Sequence, residues 1–66
     1  MNLWKEEAEM RYFVRLAVST HTEEKIDIFN IAASSADKAK SIAIGRAMER
    51  FGNELTGLSV IEVWEG

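Results

Sequence analysis

Beyond residue 10, only Ala36 to Phe51 spaces its apolar side chains as a helix does, and the stretches on either side of it alternate as strands do. One helix shields one face of a sheet. Strands that are apolar on both faces need a second cover, and that requirement shapes the rest of the reading.

The helix is announced by Ser34-Ser35-Ala36-Asp37, which reads as a capping box: the Ser34 hydroxyl accepts from the Asp37 amide and the Asp37 carboxylate reaches back. At 100° per residue, Ala36, Ala39, Ala43, Ile44, Ala47, Met48 and Phe51 share one broad face, while Lys38, Gly45, Arg46 and Glu49 point away. So many alanines bring the helix close to whatever it packs on. Arg46 and Arg50 suit the negative end of the helix dipole, and Gly52 supplies the left-handed residue that stops it.

Residues 11–19 form a strand with Tyr12, Val14, Leu16 and Val18 on one side and Phe13, Arg15 and Ala17 on the other. The polar tract Thr20 to Glu24 turns the chain into a second strand, 25–33, and a third runs over 58–64. A right-handed crossover through the helix sets the third strand beside the first. The fold class is therefore α+β: a three-stranded antiparallel sheet of order 2-1-3 in ββαβ sequence, one helix on one face. Residues 11–66 make a single domain. Residues 1–10 are a separate N-terminal segment, with Asn2 placed to cap a short helix carrying Leu3, Trp4, Ala8 and Met10.

In an unbroken register Val14 faces Val63 and Leu16 faces Ile61 under the helix, while Phe13 faces Trp64, Arg15 faces Glu62 and Ala17 faces Val60 on the far side. A hairpin with His21, Thr22 and Glu23 at its tip puts Ile26 and Ile28 under the helix, and Phe29 and Ile31 on the far side. The helix-free face then carries Phe13, Phe29, Ile31, Val60 and Trp64 around the Arg15–Glu62 pair. A bulge between Ile28 and Phe29 would instead draw Phe29 and Ile31 beneath the helix; no glycine marks one there, and the regular hairpin is preferred. An apolar patch of that size is seldom left in water, so the N-terminal segment, a second copy of the chain or another molecule should cover it.

Composition narrows the chemistry. With no cysteine there are no disulfides or thiolate sites, which suits a cytoplasmic protein, and no apolar run reaches membrane length. Eight basic against eleven acidic side chains give a net charge of −3, a poor field for a polyanion. His21, the only histidine, sits in a polar loop with no second fixed partner, so neither a catalytic set nor a metal-ligand set emerges, and no cofactor is expected. The four glycines are isolated and make no phosphate loop.

Sixty-six residues lie near the lower limit for a self-sufficient core, where burial and ordering cost nearly cancel, and association adds stability. Size, acidity and lack of cysteine give the chain a general resemblance to the small proteins of phages and mobile elements, anti-CRISPR proteins among them. That resemblance implies stoichiometric inhibition of a host complex.

The expected function is non-catalytic protein binding as a homodimer, with Phe13, Arg15, Phe29, Ile31, Val60, Glu62 and Trp64 at the interface. The alternative is a platform for single-stranded nucleic acid, on which Phe13, Phe29 and Trp64 stack bases beside Arg15. A second contact surface is expected around Ser41, Ile42 and Gly45, because a glycine in mid-helix costs about 1 kcal/mol relative to alanine.

Overall fold

A computed structural model describes residues 9–66. The short helix expected near the N-terminus otherwise lies outside those residues, but Met10 already belongs to a strand. β1 (Met10–Thr20), β2 (Glu24–Ala33), α1 (Ala36–Phe51), a 3-10 turn (Gly52–Glu54) and β3 (Leu55–Glu65) follow in order. The sheet is antiparallel with order β2-β1-β3, as the crossover argument requires.

β1 is the centre of the core. Val14, Leu16 and Val18 are at most 1% exposed and Tyr12 joins them, because every second residue of the middle strand has a neighbouring strand on both sides and the helix above. Ala39, Ala43 and Ala47 are completely buried along one line of α1, at a spacing of four residues. Their small side chains let the helix lie close to the sheet. That closeness narrows the buried face: Ala36 and Met48, expected beneath the helix, are exposed, and Ile44 is only half-buried.

The helix cap is one residue later than the capping box implied. Ser35 is the N-cap, in extended conformation, and its Oγ accepts from the Lys38 amide at 3.2 Å. At the other end Gly52 has φ +54°, a value that favours glycine, and its amide donates to the Met48 carbonyl.

Two registers differ from the unbroken pattern. In the β1–β2 hairpin Tyr12 faces Ile31, Val14 faces Phe29 and Leu16 faces Asp27, so Phe29 and Ile31 lie under the helix, and Ile26 and Ile28 lie on the helix-free face. The cause is at the tip. The Thr20 hydroxyl accepts from the amides of Thr22 and Glu23 at 3.3 and 3.2 Å, and the Thr20 amide donates to the Glu23 carbonyl, which closes the turn one residue sooner. A slip of one residue exchanges the two faces of a strand. It also keeps Asn30 in water, whereas the longer turn would have set that amide opposite Val14 in the core.

β3 makes a similar exchange through a bulge at Ile61. Arg15 faces Glu62, but Leu16 faces Val60 and Ala17 faces Ser59, leaving Ile61 without an opposite number. Val60 therefore packs against the core rather than on the far face, and Ile61 is 47% exposed. Without the bulge Ser59 would sit opposite Val18 beneath the helix. The extra residue puts Leu58 there instead.

Asp27, on the helix side of β2, is held by Arg50 of the last helical turn at 3.6 Å, and the same guanidinium lies 5.5 Å from the Phe29 ring centre. Arg50 thus covers the edge of the core where β2 meets α1. Replacing Thr20 by valine, which keeps the β-branched shape and removes the hydroxyl, is expected to cost about 1 kcal/mol in urea unfolding. Amide exchange should accelerate in β2 before it does in β3.

Candidate interaction surface

The helix-free face is built from the odd residues of β1 and their neighbours. Phe13, Arg15, Ala17 and Ser19 run along its middle; Asn30, Ile28, Ile26 and Glu24 flank them on β2; Trp64, Glu62, Ser59 and Gly57 flank them on β3. Ile26 and Ile28 are 55% and 53% exposed and Trp64 is 36% exposed. The surface is mixed, with Phe13, Ala17, Ile26, Ile28 and Trp64 set among polar and charged side chains, and three of its expected members are not on it. Phe29 and Ile31 have exchanged places with Ile28 and Ile26, and Val60 has given way to Ser59.

At Phe13 and Arg15 the pairing of β1 with β3 matches the unbroken register. Phe13 and Trp64 stack with ring centres 5.6 Å apart and planes inclined at 26°. The Arg15 guanidinium lies 5.4 Å from the Trp64 ring centre and 3.3 Å from a Glu62 carboxylate oxygen. Both charged side chains are partly exposed, so the pair contributes at most about 1 kcal/mol to the fold. Its larger effect is that the charges at the middle of the face cancel, while Arg11, which donates to Asn30 at 3.2 Å, and Glu24 stand at the two ends. The ring of Phe13 is fixed from a third side by the backbone of Gly66, whose amide donates to the Arg11 carbonyl; a β-carbon at Gly66 would overlap the ring.

Along β1 and β3 bulk falls from one end of this face to the other, while β2 carries Ile28 and Ile26 between Asn30 and Glu24. Phe13 and Trp64 stand at one end, and Ala17, Ser19, Ser59 and Gly57 at the other. A shallow hollow of about 250 Å³ lies at the low end, lined by Ala17, Ser19, Glu24 and Ile26 among others.

Ser41, Ile42 and Gly45 are all exposed on the outer side of α1, with Ile42 at 38%. A β-carbon at Gly45 would meet nothing within 4 Å, so no close contact in the fold explains that glycine. Gly45→Ala is expected to raise stability by about 1 kcal/mol and the melting temperature by roughly 4–8 °C, measured by thermal denaturation. A simultaneous loss of association would mark this side of the helix as an interface.

His21 is exposed at the hairpin tip, where its amide donates to the Glu54 carbonyl; its ring has no hydrogen-bond or ion-pair partner among the described residues. Among the described residues no group of three or more histidine, aspartate or glutamate side chains could hold a metal ion, and no helix is long and apolar enough to cross a membrane. Comparisons with protein-family models, curated proteins and solved structures give no match.

Proposed function

We propose that the protein is a non-catalytic binding module that works as a homodimer, two copies meeting through their helix-free sheet faces. The observation that carries this reading is the exposed set Ile26, Ile28 and Trp64, with the partly buried Phe13, gathered around an ion pair that is already neutral. The face measures about 33 by 14 Å from strand rise and spacing, or roughly 450 Å² of projected area per copy. Two copies together cover about 900 Å² in projection, close to the ~1,000 Å² at the low end of specific interfaces.

In such a dimer the two sheets form the inner layers and the helices the outer ones. Each helix then offers Ile42, Gly45 and Met48 to a target protein, and the action is stoichiometric binding rather than turnover. This is the mode of the small inhibitors that the chain resembles in size and charge.

Ile28→Asp tests the reading, because it places a charge in the middle of the face and disturbs no buried group. The expected result is a monomeric mass by light scattering with an unchanged circular dichroism spectrum. An unchanged dimer in Ile28→Asp would refute it.

The stacked Phe13–Trp64 pair also suits a nucleobase platform, but Phe29 is under the helix and Glu62 holds Arg15. Titration with single-stranded oligonucleotides at low salt is expected to leave tryptophan fluorescence unchanged. Salt-sensitive quenching would favour the platform instead.

A further inference from the structure

We infer that the two copies stack with their β1 strands antiparallel, related by a two-fold axis that crosses β1 between Arg15 and Ala17. This rests on the dimer proposed above and adds its geometry. Two alignments of the faces preserve two-fold symmetry with β1 over β1. With the strands parallel, each level meets itself and β2 lies over the partner's β3: Phe13 presses on the partner's Phe13, and at the other end Ala17 and Ser19 meet only the partner's Ala17 and the partner's Ser19. With the strands antiparallel, bulk meets space.

The position of the axis follows from charge. An axis through Arg15 would stack Arg15 on the partner's Arg15 and Glu62 on the partner's Glu62, and like charges placed together in an interface are penalised. Moving the axis to the level between Arg15 and Ala17 removes that conflict. Phe13 then lies over the partner's Ser19, Trp64 over the partner's Gly57, and Arg15 over the partner's Ala17. On the β2 side Ile28 lies over the partner's Ile26, and Asn30 over the partner's Glu24, an amide against a carboxylate. Each pairing sets a large group on a small one, two isoleucines together, or a donor on an acceptor. The observed gradient in bulk and the hollow at its low end are the features that such an arrangement uses.

Ser19→Phe separates the alignments by the sign of its effect. Ser19 is half-buried on the helix-free side of the sheet, where phenylalanine suits a strand. In the antiparallel dimer the new ring occupies the place of the partner's Phe13, and association should weaken by on the order of tenfold or more at both symmetric contacts. In the parallel dimer the two new rings would meet where Ser19 lies over the partner's Ser19, and association should hold or tighten.

Isotope-filtered NOE spectra of a mixed labelled and unlabelled sample give the direct readout. The expected signal joins the Phe13 ring to Ser19 of the partner, two positions that lie about 20 Å apart along the strand within one copy. A dimeric mass with no such signal, or with Phe13 in contact with the partner's Phe13, overturns this geometry and leaves the dimer standing. A monomeric mass at all concentrations gives the face to some other occupant and overturns both.

Discussion

Replacing Ile31 with alanine should remove about 2–5 kcal/mol of stability, the range for deleting a fully buried branched side chain whose surroundings only partly collapse. A domain of this length is expected to hold only about 3–10 kcal/mol in total, so the variant should be largely unfolded near 37 °C. Ile31 is 1% exposed and faces Tyr12 in the core layer. The same substitution at Ile28, which is 53% exposed, should change the stability of the monomeric unit by no more than about 0.5 kcal/mol. Urea unfolding of the two variants compares them directly. If the hairpin turned one residue later, the order of the two effects would be reversed.

Ala43→Leu should be the second large effect. Ala43 is wholly buried midway along α1, between Ala39 and Ala47, and these three methyl groups set how near the helix lies to the sheet. A leucine there must lift the helix or displace Val14 and Leu16 beneath it, and overpacking of this kind costs about 1–3 kcal/mol. For a chain this short that corresponds to a fall of roughly 4–8 °C in melting temperature for each kcal/mol. The substitution raises hydrophobicity without lowering helix propensity appreciably, so a loss would report on space alone. A melting temperature that rose instead would mean that the alanine line leaves room unfilled.

Much of the fold was legible in the residues because local signals agreed with one another. Gly52 stops the helix with the positive φ expected of it, the 2-1-3 order follows from the crossover, and Phe13–Trp64 and Arg15–Glu62 face each other as alternation requires. Two one-residue shifts were harder to see. One depends on the Thr20 hydroxyl capturing two amides, the other on a bulge at Ile61 that no glycine announces. Both shifts spare a polar side chain from burial, Asn30 in β2 and Ser59 in β3. Those residues carried the missing signal: a register that sets an amide or a hydroxyl among Val14, Leu16 and Val18 incurs a desolvation cost that a turn or a bulge avoids.

The same shifts explain why the candidate surface kept its character while changing its members. β2 places isoleucine on both of its faces, Ile26 and Ile28 on one and Ile31 on the other, so either register leaves apolar side chains opposite the helix. The polarity of Asn30 is what separates the two sets. The gradient in bulk along the face depends on Ser59 and Gly57 lying beside Ala17 and Ser19, and it exists only once the bulge at Ile61 is in place.

Sedimentation equilibrium of the unaltered protein over a wide concentration range tests the central claim most directly. The account predicts a mass that approaches twice that of the chain as concentration rises, with Phe13→Asp remaining at a single chain mass and retaining its fold. A single chain mass for the unaltered protein throughout would contradict it.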